Sequence, residues 1–206
     1  MNEQGAIEKA AARFREQVTL LGGIVAVAWI LELIDVLLLR QALNQFGVIP
    51  RQPSGLLGII FMPFLHGGLA HLAANTLPFV ILGWLVLLRR TMDFVWVTAL
   101  TMLITGGGLW FLGSPRVTYI GASGLIFGYF GFLLLRGYFE RSAQSLLISG
   151  LVVIFYGGLL LGVLPQRPGI SWEAHLLGLL SGILAARLLA NRAAESDSAT
   201  DFEHTI

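Results

Sequence analysis

Few side chains in this chain could do chemistry, and the ones that could are Ser123, His175, His71 and Asn75, with His66 five residues before His71. A serine hydroxyl is a weak nucleophile until a base takes its proton, and imidazole suits that task near neutral pH. His71 and Asn75 stand at i, i+4, so one helix face presents both. Asn75 can donate from its amide to a developing oxyanion. Nucleophile, base and hydrogen-bond donors are the parts of an acyl-transfer site. No carboxylate completes them. Glu173 lies two residues from His175, about 200° round a helix, and Glu32 and Asp35 are not expected to reach. A Ser–His dyad fits better than a triad.

The elements that must position these groups are membrane helices. Hydrophobic residues make up 56% of the 206 and charged residues 12%, where a soluble domain carries about 25% charge. Mean hydropathy is +0.79. A net charge of +1 gives no nucleic-acid footprint, and the lack of cysteine excludes disulfides and thiolate-held metals. A spanning helix needs about 20 apolar residues. Six such stretches are expected, at 18–39, 71–88, 94–112, 121–135, 145–164 and 172–190. The expected fold is an all-α polytopic bundle of six transmembrane helices embedded in a lipid bilayer. Residues 1–17 read as a cytoplasmic amphipathic lead-in, 18–190 as the six-span domain, and 191–206 as a disordered cytoplasmic tail. The first span is expected to be retained rather than cleaved.

Basic residues set the orientation. With both termini inside, nine lie on the inner side (Lys9, Arg13, Arg15, Arg89, Arg90, Arg136, Arg141, Arg187, Arg192) and four outside (Arg40, Arg51, Arg116, Arg167). That asymmetry favours a cytoplasmic amino terminus, in a bacterial-type plasma membrane. The 41–70 loop carries a greasy stretch from Leu56 to Leu65, too short to span and broken by Pro63. It is expected to lie half-submerged at the outer interface. Glu32 and Asp35 would each cost about 2.5–3.5 kcal/mol at mid-membrane. With the first span ending near residue 36, both fall near the outer interface, a reading preferred to a buried functional pair.

Depth links the polar groups. Counted to the arginine ending each helix, at about 1.5 Å per residue, Ser123 lies about 20 Å, His175 about 18 Å and Asn75 about 21 Å above the inner boundary. His71 comes out near 27 Å. Three helices running the same way thus place three polar groups at one level. Gly124, Gly128 and Gly131 groove the fourth helix; Gly178 and Gly182 share a face with His175 on the sixth. Small residues let helix backbones approach closely, which would bring the imidazole within hydrogen-bonding reach of the serine. Ser123 falls in the first turn of its short helix, where free N–H groups and the dipole favour an oxyanion.

These residues resemble the rhomboid intramembrane serine proteases. His66-Gly67-Gly68-Leu69-Ala70-His71-Leu72-Ala73-Ala74-Asn75 is similar to the family's H-x4-H-x3-N. Gly121-Ala122-Ser123-Gly124 is similar to its G-x-S-G, and the stretch from Ala174 through His175 and Gly178 to Gly182 to its A-H-x2-G-x3-G. The resemblance covers roughly 18–190. It implies that Ser123 attacks the scissile carbonyl with His175 as general base. His71, Asn75 and the Ser123 backbone N–H would form the oxyanion hole, and His66 would hydrogen-bond structurally above it. Substrates would be single-span membrane proteins cut near the outer face, with no cofactor. Two positions depart from the family. Leu57 and Gly58 stand where it often has Trp-Arg, and Phe127 where it often has a tyrosine packed under the histidine ring.

Other classes fit less well. His66, His71 and His175 could in principle hold zinc, but no H-E-x-x-H is present and five residues separate the first two. No metal is therefore expected. A transporter would need broken helices and charged midplane groups, and none is seen. The main alternative is a catalytically inactive rhomboid-like protein that binds membrane clients. Such relatives lose the serine or the histidine, and this chain keeps both.

Overall fold

The computed structural model describes the backbone of residues 3–88, 90–165 and 171–203, and the side chains of 4–88, 90–165 and 171–190. Where no water can satisfy the backbone, amides must pair within their own segment, and helices are the open-chain solution. The chain takes it throughout. Six long helices run in order: α1 (Glu3–Ile34), α2 (Leu69–Leu87), α3 (Thr91–Leu112), α4 (Ser123–Glu140), α5 (Ala143–Tyr156) and α6 (Trp172–Glu203). A π-helical turn, Asp35–Leu39, extends α1, and a 3₁₀ segment, Gly157–Val163, extends α5. No β-strand occurs among the described residues; the nearest thing is a single antiparallel bridge between Val48 and Tyr119.

Among the described residues, five stretches are long and apolar enough to cross a membrane: Gln4–Leu39, Leu69–Leu87, Thr91–Leu112, Ala143–Val163 and Trp172–Ala190. The protein is an integral membrane protein with a polytopic helical bundle. The remaining long helix, α4, carries Arg136 and Glu140 and sits at the centre, with α2, α3, α5 and α6 packed round it. Its Tyr129, Phe130, Phe132 and Leu133 are fully buried. A helix that is apolar on every side goes to the middle of a bundle. By contrast α5 leaves Leu147, Ile154 and Phe155 exposed on its outer face.

The bounds of α4 differ from the expected 121–135. Gly121 has φ +110°, so the helix starts only at Ser123. At the other end Arg136 does not stop it. The guanidinium is buried, donates to Glu140 at 3.1 Å, lies 3.7 Å from Asp93 on α3 and covers the Phe132 ring. Charge paired this way is tolerated inside a bundle, so α4 continues four residues past Arg136. Arg136 is therefore no surface marker of depth.

The polar lead-in is not separate from the first span, because both form one continuous α1. It caps α2: Arg13 donates to the Leu88 carbonyl at 2.7 Å and Gln17 to that of Leu87 at 3.0 Å. Those carbonyls end a helix and lack intrahelical donors. At the far end α6 runs to Glu203, beyond the expected end of order at Asn191. The stretch from Ala190 to Ala199 holds no Gly or Pro that would break it. The orientation count leans on Arg89 and Arg167, which lie outside the described residues.

The loop between α1 and α2 is a chain of short turns: Ala42–Phe46, Pro53–Leu56, Gly58–Phe61 and Met62–Phe64. Leu57, Ile60 and Phe61 face outward while Gly58, Met62 and Pro63 are buried. Gly58 explains one departure from the family. A Cβ there would run into the backbone of Gly47 and Val48, so a residue as large as arginine has no room.

Candidate active site

The glycine grooves do bring α4 and α6 into backbone contact. A Cβ on Gly178 would meet the Gly124 carbonyl, and one on Gly182 the Gly128 carbonyl. A Cβ on Gly131 would meet the Leu179 carbonyl in the same way. The two helices touch through five glycines, as the spacing predicts. His175, on the α6 face, is drawn against α4 one turn along from Ser123.

There its ring lies flat on Phe127, with centroids 4.1 Å apart and 6° between planes. Phe127 is four residues after Ser123, so both belong to one face of α4. The imidazole is fixed at its other edge too. His175 Nδ1 is 2.9 Å from the Gly162 carbonyl, on the 3₁₀ extension of α5. A carbonyl only accepts, so Nδ1 carries the proton and Nε2 keeps its lone pair. That is the tautomer a general base needs. An acid is not required to set it here, since a backbone carbonyl does so.

On the other side of the serine stands His71. Gly67 N–H donates to His71 Nδ1 at 3.2 Å, which leaves the ring proton on Nε2. Nε2 faces Gly121: a Cβ at that glycine would lie 3.1 Å from His71 Nε2 and 4.0 Å from Ser123 Oγ. Histidine N–H and serine hydroxyl therefore border one small space, kept open because residue 121 has no side chain. Gly121 is doubly constrained, by its positive φ and by this space. Asn75 is buried and donates one amide hydrogen to the His71 carbonyl at 2.9 Å, leaving the second.

His66 is fully buried. Its Nε2 accepts from the Ala122 N–H at 3.4 Å, next to Ser123, and its ring meets His71 edge-on at 5.1 Å. Burial first, then the neighbouring His71 ring, push its pKa down to about 4, the Phe64 carbonyl pulling the other way. Neutral, it ties the loop to the start of α4. Gly121 N–H does the same by donating to the Met62 carbonyl at 2.9 Å. Behind the donors lies a mainly apolar cavity of about 60 Å³, bordered by His66, Asn75, Phe79 and Tyr129. Neither Ser123 nor His175 lines it.

The candidate residues are thus gathered around the start of α4, the helix on which both α2 and α6 pack. One expected feature is not made: among the described residues, the site's hydrogen bonds do not include one from Ser123 to His175. Nucleophile–base bonds are often long before substrate arrives. Two groups escaped sequence reasoning. The Gly162 carbonyl is backbone and has no side-chain signature. Glu32, expected near the outer interface, is 1% exposed and accepts from the Gly68 N–H at 2.7 Å. Asp35 is equally buried.

Residues 53–192 match the Rhomboid domain. Over 175 residues the chain is 44% identical to an uncharacterised protein of Mycobacterium tuberculosis, covering 81% of this chain and 72% of that one. Over 174 residues it is 41% identical to an uncharacterised protein of Mycobacterium leprae, covering 80% and 68%. RHOMBOID-like protein 4 of Arabidopsis thaliana is 33% identical over 135 residues, 63% of this chain and 33% of that one. The chain belongs to the rhomboid family.

Proposed function

We propose that this protein is an intramembrane serine endopeptidase that cleaves single-span membrane proteins near the outer face of the bilayer. The observation that carries the reading is the fixing of His175. Stacked on Phe127 and bonded through Nδ1 to the Gly162 carbonyl, it keeps Nε2 free one turn from Ser123. In the proposed reaction Nε2 takes the hydroxyl proton as Ser123 Oγ attacks the scissile carbonyl carbon. The resulting oxyanion accepts from His71 Nε2–H, the Asn75 amide and the Ser123 N–H. His175 then gives the proton to the leaving amine, and the C–N bond breaks. Water, deprotonated by the same imidazole, attacks the acyl carbon; the C–Oγ bond breaks, His175 returns the proton to Ser123 Oγ, and the acid product leaves. We place both termini in the cytoplasm of a bacterial-type cell.

The test is cleavage of a single-span reporter by purified protein in lipid, with Ser123→Ala alongside. Cleavage by the wild type alone supports the reading; equal cleavage by both sinks the dyad. The absent Ser123–His175 hydrogen bond favours one second reading, a non-catalytic rhomboid-like protein that binds membrane clients. A serine-directed phosphonate separates the two, since it should label Ser123 only in an enzyme.

A further inference from the structure

Glu32 sits on α1, which contributes no residue to the proposed chemistry, yet it is buried to 1% exposure and reaches the turn between His66 and His71. Its Oε1 accepts from the Gly68 N–H at 2.7 Å and from Gln41 Nε2 at 3.2 Å. Gly68 is the residue before α2 and has φ +111°, so the chain turns sharply there. The adjacent Gly67 N–H holds His71 Nδ1 at 3.2 Å. Among the described residues, this turn is what decides which nitrogen of His71 carries the proton. The network continues outward: Asn44 donates to Gln41 at 2.7 Å, and Asp35 accepts from the Leu43 N–H at 2.9 Å. Two acidic side chains, one on the last turn of α1 and one opening the π-helical turn after it, thus hold both the beginning and the end of the outer loop. Burying a carboxyl group is costly, and here that cost is offset by two hydrogen bonds that tie α1 to the turn before α2 and to Gln41.

We propose that Glu32 is a positioning residue for the oxyanion site: by holding Gly68 it fixes the Gly67–His71 turn that keeps the ring proton on His71 Nε2. Without it Gly67 is released, and the ring can present a lone pair instead of an N–H toward Ser123. The consequence for catalysis rests on the protease reading above; the tautomer does not.

The experiment uses the full chain in lipid nanodiscs, with ¹⁵N-imidazole spectra of His71 beside reporter kinetics. Glu32→Met fills the same space with no strong acceptor, and Glu32→Gln keeps a carbonyl for Gly68. Wild type should show one His71 tautomer, protonated at Nε2. Glu32→Met should show a mixture, with kcat down on the order of 10²-fold, as for a misplaced catalytic group. KM should stay within about twofold, since the group acts through the transition state. Glu32→Gln should restore the single tautomer and most of kcat. An unchanged His71 spectrum in a folded Glu32→Met protein overturns the proposal whatever its rate. So does a Glu32→Met protein that cannot fold, because the role is then one of stability. A wild type that neither cleaves reporter nor takes phosphonate sinks the protease reading instead, and leaves the spectra to judge Glu32.

Discussion

Phe127 and His175 lie ring on ring, 4.1 Å apart and nearly parallel, and the Gly162 carbonyl pins the histidine's outer edge. Between them the imidazole can neither tilt nor rotate freely. The phenyl ring supplies the stacking surface without a hydroxyl, so Phe127→Tyr should leave kcat within about twofold and Phe127→Ala should not. Aromatic pairs contribute about 0.5–1.5 kcal/mol, so the alanine variant should lose up to about tenfold in kcat. Reporter cleavage checks this. Full activity in Phe127→Ala would mean that the stack does not position the base.

Asn75 has a stricter role. One amide hydrogen goes to the His71 carbonyl, leaving the other for the developing oxyanion. Asn75→Ala should lower kcat on the order of 10²–10³-fold, the usual cost of an oxyanion donor. Phosphonate labelling should slow in parallel, because the tetrahedral adduct uses the same donor. An unchanged rate removes Asn75 from the oxyanion hole and leaves it a structural tie on α2.

Much of this site was legible in the residues, because membrane helices make depth and face readable from spacing. Gly178 and Gly182 predict contact with Gly124 and Gly128 without coordinates, since only glycine admits such an approach. What stayed hidden was carried by backbone or by loop geometry. The Gly162 carbonyl has no residue-type signature, and the positive φ of Gly68 looks like any other glycine. Glu32 misled for a physical reason. Its position along α1 gives only its nearness to the helix end, not the loop that folds back over it and buries it. Arg136 misled in the opposite way, as a supposed boundary that proves to be a buried ion partner of Asp93 and Glu140.

His66 should make stability depend on pH. In the unfolded chain it titrates near 6.5 and in the fold near 4. Between these values the unfolded state binds more protons, so stability rises with pH. The contribution is complete above 6.5 and is lost as pH falls toward 4, at up to about 1.4 kcal/mol per unit. Thermal unfolding in lipid from pH 4 to 7.5 should show that slope, and His66→Gln should flatten it. The difference between the two profiles isolates His66 from the other histidines, His71 included. Parallel profiles would mean that His66 is not held neutral by its surroundings.

Three consecutive glycines in α3 and one in α6 separate packing from propensity. Gly182 has no room for a Cβ against the Gly128 carbonyl, so Gly182→Ala should push α4 and α6 apart. Overpacking of this kind costs about 1–3 kcal/mol. A Cβ on Gly106 would lie 2.9 Å from Ile59 and one on Gly108 2.8 Å from Leu177, whereas one on Gly107 between them would meet nothing within 4 Å. Gly107→Ala should therefore be neutral or stabilising by up to about 1 kcal/mol, the helix-interior advantage of alanine. Thermal unfolding of the two alanine variants in the same detergent tests the contact directly. Because Ser123 and His175 lie on the helices that Gly182 holds together, its variant should also lose activity more steeply than stability. Equal stability in both variants would mean that α4 and α6 do not meet through their glycines.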